Sequence, residues 1–375
     1  MDLAAFDYPL PERSIAQRPI EPRDRARLLV DRGAGRPPGH RTVADLPSLV
    51  GPGDLLVVNT SRVLPARLAL RKTTGGAVEV LLLERHPGGW WEALVRPGRR
   101  VPSGTRLTAG DDLTVEIGEP LGDDGRRRVR LRVGPAPLGS ATDAGGRPAG
   151  SAGDAVERPA GSEVLAVEPG TLAGELAALD RHGTVPLPPY ITEPLADPER
   201  YQTVYANRPT SVAAPTAGLH LTPAVLDACR AAGAGVAEVE LAVGLATFRP
   251  ITAARVEDHL MHGERYRVPA ATLAACRDAR RVVAVGTTTV RALEAAAATG
   301  EPEGRTELFI RRPWPWRVVD VLVTNFHMPR SSLLVLVDAF VGPRWRELYD
   351  EALVRGYRFL SFGDAMLLTR PGVGA

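Results

Sequence analysis

The sequence predicts an α/β fold: a layered α/β domain with an inserted small antiparallel β-barrel domain. Two observations carry this prediction. After about residue 168, buried β-rich runs alternate with well-marked helices, which is typical of α/β domains. Between residues 68 and 134, several short strands follow one another with Gly and Pro turns between them, which is typical of a small barrel or sandwich. The β-rich segment at 68–134 therefore interrupts the sequence of the α/β domain.

The domain boundaries follow from these changes in pattern. We assign residues 1–67 and 164–375 to the α/β catalytic domain and residues 68–134 to the barrel. Residues 135–163 are rich in Pro, Gly, Ala and Ser, and the run RPAGS occurs there twice. A low-complexity segment of this kind buries too little apolar surface to fold, so we expect a flexible insertion.

The elements of the α/β part can be read from their end signals. Thr222 and Pro223 supply an N-cap and a proline at the first helical position, and Gly233 marks the end of that helix. RVVAVG at 281–286 predicts a buried strand that runs straight into a helix. WRVVDVLVTN at 316–325 predicts another strand, and the apolar helix after it is capped by one of the two serines at 331 and 332.

Charge and cysteine content exclude some classes of function. Forty-six basic and forty-four acidic residues give a net charge of +2, which excludes a basic coat over the whole surface for binding nucleic acid. The run RRRVRLR at 126–132 and the pair Arg99–Arg100 offer local basic faces, although the solvated face of a barrel also explains them. Two cysteines and the lack of a long apolar run or a signal-peptide pattern lead us to expect a cytoplasmic protein.

Polar residues follow three of the predicted strands. Ligands bind outside the carboxyl ends of strands in open α/β sheets, so these residues are candidates for substrate binding. Arginines there suit a carboxylate or a phosphate, and threonines at a helix N-terminus suit an anion. Surface salt bridges and an ordinary capped helix are the alternatives. The candidates are Asn59, Arg62 and Arg67 after the first strand, Thr287 and Thr288 after the second, and Asn325, His327 and Arg330 after the third.

Two further segments bring histidines together with hydroxyl or carboxyl groups. SVAAPTAGLH places Thr216 and a glycine just before His220, which suits a backbone wrapped closely around a ligand. DHLMHGERY holds His259, His262 and Glu264. A third metal ligand and the HExxH pattern are missing from the sequence, so we expect acid–base or hydrogen-bonding use and no metal. Histidines on a solvated turn remain the alternative.

The chain closely resembles the S-adenosylmethionine:tRNA ribosyltransferase-isomerase family of queuosine biosynthesis. The resemblance runs in family order from residue 6 to residue 366 and covers nearly everything except the 135–163 insertion. It is carried by the stretches FDYPLPERSIAQRPIEPRDRARLLV, GDLLVVNTSRVLPARL, VPLPPYI, RYQTVYA, SVAAPTAGLH, HLMHGERY, VAVGTTTVRALE, VLVTNFHMPRSSLLVLVDAF and YRFLSFGDAML.

The resemblance implies a fold and a reaction. The family has an α/β domain with an inserted β-barrel. Its members transfer the ribosyl part of S-adenosylmethionine to 7-aminomethyl-7-deazaguanine at the tRNA wobble position, forming epoxyqueuosine and releasing adenine and methionine. S-adenosylmethionine is consumed as a substrate, and no cofactor or metal is required. The expected partners are S-adenosylmethionine and a tRNA anticodon stem–loop, bound by a monomer that needs no membrane.

The same resemblance suggests roles for the candidate residues. The sulfonium acidifies the neighbouring carbon, so a neutral imidazole or a carboxylate can act as the base. Our candidates are His220, His262 and Glu264, in that order. A second group would hold the methionine carboxylate or tRNA phosphates, namely Arg249, Arg291 and Arg330.

Three departures from the family pattern keep two alternatives open. Ala242 and Ala246 stand where the family has His and Gly, and Thr60 stands where it has Asp. One alternative is the same donor chemistry on a deazapurine or amine that is not part of tRNA. The other is a catalytically silent paralogue that binds RNA or a nucleotide. Release of adenine separates the silent paralogue from both enzymes.

Overall fold

A computed structural model of the chain describes residues 1–122, 125–134, 171–244 and 250–373. They form two compact units: unit 1 comprises Met1–Leu64 and Val185–Ala375, and unit 2 comprises Pro65–Thr184. The predicted insertion at 135–163 lies outside the described residues. Among the described helices, none combines the length and apolar character that spanning a bilayer demands.

Strands and helices alternate along the second half of the chain, whereas the strands between residues 67 and 133 follow one another with no α-helix among the described residues. In the described part of the chain the strands are β1 (Arg27–Val30), β2 (Gly39–Thr42), β3 (Asp54–Asn59), β4 (Ser61–Val63), β5 (Arg67–Lys72), β6 (Ala77–His86), β7 (Trp90–Arg96), β8 (Arg106–Ala109), β9 (Leu113–Pro120), β10 (Arg126–Val133), β11 (Gly183–Thr184), β12 (Arg208–Ser211), β13 (Gly235–Leu241), β14 (Glu264–Arg267), β15 (Arg281–Val285), β16 (Glu303–Thr306), β17 (Val321–Asn325) and β18 (Ala365–Thr369). The α-helices are α1 (Leu172–His182), α2 (Pro223–Ala231), α3 (Ala270–Asp278), α4 (Thr287–Thr299), α5 (Ser332–Val341) and α6 (Trp345–Val354).

Unit 1 is built on a nine-stranded mixed sheet, in the order β16-β14-β13-β3-β15-β17-β18-β1-β2. The central strands β13, β3, β15 and β17 are parallel, so their carboxyl ends meet along one side of the sheet, the carboxyl edge. Strand β3 is buried on both faces: Leu55 and Val57 pack in the core that contains α4 and α5, and Leu56 and Val58 pack in the core that contains α2. The sheet is therefore the middle of three layers.

Unit 2 is a closed antiparallel barrel. Strands β5, β6, β7, β10, β9 and β8 follow one another, and pairing of β5 with β8 closes the ring. The predicted α/β architecture with an inserted barrel is confirmed.

The boundary of the barrel unit differs from the prediction. Helix α1 was expected in the α/β domain, within 164–375, but it belongs to unit 2. The buried Glu175 of α1 accepts hydrogen bonds from Arg85 at 2.7 Å and from the Trp91 indole at 3.0 Å. Oδ1 of Asp112 lies 2.6 Å from Nε2 of His182, at the end of α1. Side chains of β6, β7 and the turn before β9 thus fix the helix to the barrel.

Two helix starts of unit 1 follow the capping signals in the sequence. At the start of α2 the Thr222 hydroxyl accepts the N–H of Val225 at 3.2 Å, and at the start of α5 the Ser331 hydroxyl accepts the N–H of Leu334 at 3.2 Å. Gly233, beyond the end of α2, has a φ of +93°, a conformation that favours glycine.

The strand predicted over residues 316–325 is shorter than expected, because β17 covers only Val321–Asn325. The backbone before it is held instead by the buried Glu294 of α4. The Glu294 carboxylate accepts N–H groups from the Trp314 indole at 3.2 Å and from the backbones of Arg317, Val318 and Val319 at 3.0 to 3.1 Å. A side chain from another element has thus replaced the hydrogen bonds of a sheet ladder.

We predict that Glu294→Ala lowers the free energy of unfolding by about 3 kcal/mol or more, because several buried N–H groups lose their acceptor. Urea unfolding followed by circular dichroism measures the change. Glu294→Gln keeps one acceptor oxygen and should lose less. The exposed Glu347→Ala is the matched control, with an expected change of about 0.5 kcal/mol or less; equal losses for Glu294→Ala and Glu347→Ala would contradict the assignment.

Candidate functional site

Asn59 joins three elements at the carboxyl edge. Its Nδ2 donates to the Leu241 carbonyl at 3.0 Å and to the Thr288 hydroxyl at 3.2 Å. Its Oδ1 accepts the N–H groups of Ser61 and Leu241 at 3.1 and 3.2 Å. The amide is buried and fully bonded, so it ties the ends of β3 and β13 to the start of α4.

A second buried asparagine, Asn325 at the end of β17, holds a histidine. Its Oδ1 accepts the Thr216 hydroxyl at 2.9 Å, and its Nδ2 lies 3.1 Å from Nε2 of His220. The same Nδ2 lies 3.4 Å from the carbonyl oxygen of Asp364. Thr216 and His220 belong to one short 3-10 helix, Thr216–His220, which packs against β17. We call Thr216, His220 and Asn325 the histidine cluster.

The partners of Asn325 determine which nitrogen of His220 carries a proton. A carbonyl oxygen only accepts, so the amide atom facing Asp364 must be the nitrogen. The Nε2 atom of His220 then accepts a hydrogen bond from that nitrogen and is unprotonated. A neutral His220 therefore carries its proton on Nδ1.

Burial keeps this imidazole neutral. Desolvation lowers the pKa of His220 from 6.5 to about 4; the nearby Asp364 opposes the shift, while Arg358, Arg200 and Arg23 add to it. Near neutral pH the ring has a lone pair that can accept a proton, which a general base requires.

Two small cavities flank the histidine cluster. One, of about 30 Å³, is lined by Thr216 and Asn325 together with Tyr190, His327 and Ser361. The other, of about 10 Å³, is lined by four apolar residues together with His220, Ser361, Arg23 and Arg200. The first is large enough for about two water molecules.

Unusual backbone and buried polar groups surround the first cavity. Leu360, which lines it, has a φ of +69°, a left-handed conformation that is uncommon for a branched side chain and concentrates at functional sites. Nε2 of His327 lies 2.9 Å from the Thr324 hydroxyl. The backbone N–H of His327 donates to the Tyr349 hydroxyl at 2.9 Å. Burial lowers the pKa of His327 to about 3, so this ring is also neutral.

Glu264 and Arg291 form a buried ion pair. The Glu264 carboxylate also accepts the N–H of Gly244 at 2.9 Å, just beyond the end of β13. Nε of Arg291 donates to the Leu308 carbonyl at 3.1 Å, whereas Nη2 has no hydrogen-bond partner among the described residues. Burial lowers the pKa of Arg291 to about 10. The sequence suggested separate roles for these two residues, but the structure places them in one pair.

Other predicted site residues lie in different surroundings. Thr287 and Thr288 are buried at the start of α4, where Gly286 has a φ of +92°. The described residues contain no group of three His, Cys, Asp or Glu side chains placed to hold a metal. The remaining candidates are exposed, salt-bridged or outside the description: His262 is exposed, Arg62 pairs with Glu199, Arg67 lies in unit 2 and pairs with Glu79 at 3.0 Å, Arg330 pairs with Asp7, and Arg249 and Ala246 lie outside the described residues.

Several residues that surround the histidine cluster were not among the predicted site residues. Tyr190, whose hydroxyl lies 2.8 Å from that of Ser361, occurs in VPLPPYI, and Ser361 and Asp364 occur in YRFLSFGDAML. Both stretches belong to the family resemblance. Their polar residues carried a usable signal, but their spacing in the chain says nothing of their meeting near His220.

Comparisons with known proteins agree with one another. Residues 3–368 match the family model described as "Queuosine biosynthesis protein". A relative from Rubrobacter xylanophilus, named S-adenosylmethionine:tRNA ribosyltransferase-isomerase, is 47% identical over 98% of this chain and 97% of its own. A relative of the same name from Thermotoga maritima is 44% identical over 98% of this chain and all of its own. A crystal structure of S-adenosylmethionine tRNA ribosyltransferase from Thermotoga maritima superposes with a TM-score of 0.50 at 35% identity, covering 97% of this chain and 99% of that one.

The buried histidine makes a prediction about pH. Because the pKa of His220 is about 4 in the folded chain and near 6.5 when unfolded, the unfolded chain binds more protons between these values. The stabilisation from a neutral His220 is complete above about pH 6.5 and is lost as the pH falls toward about 4. We therefore expect His220→Gln to flatten the decline in unfolding free energy over this range, measured by urea unfolding.

The exposed His262→Gln serves as the control and should keep the wild-type decline. An unchanged decline in His220→Gln would show that His220 is not held neutral by burial.

Proposed function

The chain belongs to the queuosine biosynthesis protein family, and we propose that it transfers and isomerises the ribosyl group of S-adenosylmethionine at the histidine cluster. It is a transferase and isomerase of tRNA modification. The acceptor that we propose is 7-aminomethyl-7-deazaguanine at the tRNA wobble position. The products are epoxyqueuosine in the tRNA, adenine and methionine.

The observation that carries the site assignment is the neutral imidazole of His220 at the carboxyl edge. A base must be unprotonated at working pH and held in a fixed orientation. Burial provides the first condition, and the hydrogen bond from Asn325 provides the second. His262 is exposed and Glu264 is engaged by Arg291, so His220 is the candidate that best fits a base.

The reaction begins, in our proposal, with removal of a proton from the carbon next to the sulfonium. The electron pair left on that carbon forms a double bond to the adjacent ring carbon and opens the sugar ring, so that adenine leaves and takes up a proton. The aminomethyl nitrogen then bonds to the carbon that carried adenine and loses a proton. A sugar oxygen finally displaces methionine by forming a C–O bond at the carbon that carried sulfur, which closes the epoxide. Nε2 of His220 is the proton acceptor, and for that step the substrate C–H takes the place of the Asn325 N–H. Asn325 is then a positioning residue, because it keeps Nε2 unprotonated and the ring oriented.

Two further groups are suited to binding S-adenosylmethionine. The buried guanidinium of Arg291 has an Nη2 without a described partner, and it could hold the methionine carboxylate. Thr287, whose hydroxyl makes no hydrogen bond within the described residues, lies at the N-terminus of α4 and can donate to a polar group of the substrate. We propose that no cofactor takes part, and that the protein works in the cytoplasm as a monomer that receives the tRNA anticodon stem–loop.

Purified protein incubated with S-adenosylmethionine and tRNA carrying 7-aminomethyl-7-deazaguanine tests the function, with adenine and modified nucleosides followed by mass spectrometry. We expect adenine and epoxyqueuosine in equal amounts. His220→Ala should lower kcat by about 100-fold or more, because general-base catalysis is lost. His262→Ala is the matched control and should stay within about twofold of wild type.

Each contrary outcome points to a different error. Adenine without modified tRNA would indicate another acceptor. Failure to form either product, under conditions in which a Thermotoga maritima relative is active, would contradict the enzyme assignment. Full activity in His220→Ala would contradict the base assignment alone.

A further inference from the structure

The outer surface of the barrel carries a row of arginines. It takes residues from β7, β8 and β10, and we call it the arginine face. Its members are Trp90, Arg106, Arg126, Arg128, Arg130 and Arg132.

The side chains of β10 point alternately into the barrel and out to solvent, and this alternation produces the arginine face. Val129 and Leu131 point into the barrel and are buried, so the arginines between and beside them point outward. Arg127 is the exception, because it points inward and donates to the carbonyls of Val101 at 3.0 Å and Gly118 at 2.8 Å. Arg127 is therefore structural, whereas the outward arginines are not needed to fill the barrel.

Part of the positive charge on this face is left unpaired. Arg126 pairs with Glu92 and Arg132 pairs with Glu116, each at 2.9 Å. In the described part of the chain, the exposed Arg128 and Arg130 make no ion pair. Among the described residues directly opposite these arginines on neighbouring strands, the carboxylates are Glu92, opposite Arg128, and Glu116, opposite Arg106 and Arg130. Two carboxylates therefore face five arginines.

Stacking holds one of these cations in place. The Trp90 ring is stacked on His86, with centroids 3.9 Å apart and planes 5° apart. Cζ of Arg128 lies 4.4 Å from the centroid of the Trp90 ring. His86 already covers one side of the indole, so the guanidinium lies over the other. Stacking orients the guanidinium before any ligand binds, which reduces the entropy lost when its N–H groups meet an anion.

We propose that the arginine face binds the sugar–phosphate backbone of the tRNA substrate. The chain as a whole has a charge of only +2, so attraction of a polyanion must come from a local excess of cations. The arginine face supplies one, because Arg106, Arg126, Arg128, Arg130 and Arg132 lie together and only Glu92 and Glu116 lie opposite them among the described residues. This inference rests on the proposed function, which makes tRNA the acceptor.

The double variant Arg128→Glu/Arg130→Glu tests the proposal. The tRNA carrying 7-aminomethyl-7-deazaguanine is the probe; its Kd is measured by filter binding at two salt concentrations, and its KM and kcat by adenine release. We expect Kd and KM to rise about tenfold or more and the salt dependence to fall by about two phosphate contacts. The kcat should stay within about twofold of wild type, because the changes leave the histidine cluster intact.

Two comparisons keep the result interpretable. Arg230→Glu/Arg277→Glu makes the same change of charge on the exposed surfaces of α2 and α3 and should leave Kd near its wild-type value. Arg128→Gln/Arg130→Gln removes the charges without reversing them and should fall between wild type and the Glu double variant. A thermal midpoint within about 2 °C of wild type confirms that each variant is folded.

Failure of this proposal and failure of the proposed function are distinguishable. If wild type converts the tRNA and the Glu double variant binds it with the wild-type Kd and salt dependence, tRNA binding by the arginine face is refuted and the proposed function stands. If wild type binds the tRNA through this face but releases no adenine, the face is supported and the proposed function fails.

Discussion

A single buried amide, that of Asn325, connects the sheet of unit 1 to the segments above its carboxyl edge. It accepts a hydrogen bond from Thr216, and its nitrogen faces both His220 and the Asp364 carbonyl. Three separate parts of the chain therefore meet on one side chain. Because the Asp364 carbonyl can only accept, the orientation of the amide is determined, and the protonation of His220 follows from it. The chemistry proposed for the cluster depends on this arrangement.

The rest of unit 1 supports that amide at a distance. Glu294 holds the backbone that leads into β17. Asn59 makes the corresponding connection between β3, β13 and α4. Buried polar groups are costly unless they are hydrogen-bonded, so such fully bonded residues favour one arrangement of the strand ends over others. A site at this edge is preorganised by the fold itself.

Local signals in the sequence were sufficient for much of the fold. The caps at Thr222 and Ser331 mark helix starts because a hydroxyl next to the first turn acts on its own neighbours. The short strand at Val321–Asn325 and the docking of α1 on the barrel were not predictable in this way. Both depend on a carboxylate, Glu294 or Glu175, that meets its partners only after folding.

The contacts within the candidate site were predictable only in part, for the same reason. His220 and Asn325 were singled out from their own segments, but their contact was not visible in the sequence, and neither was the Glu264–Arg291 pair. Spacing along a chain does not report which buried side chains meet. The arginine face shows the opposite case, because strict alternation in β10 makes the direction of each side chain predictable from the sequence.

The protonation state of the His220 ring tests the assignment of this residue as the base most directly. Nitrogen-15 NMR of the uniformly labelled protein at pH 7, with the signals assigned by comparison with His220→Gln, reports which ring nitrogen carries a proton. The structure predicts a neutral ring with the proton on Nδ1 and an unprotonated Nε2. A charged imidazolium, or a proton on Nε2, would contradict both the hydrogen bond from Asn325 and the assignment of His220 as the base.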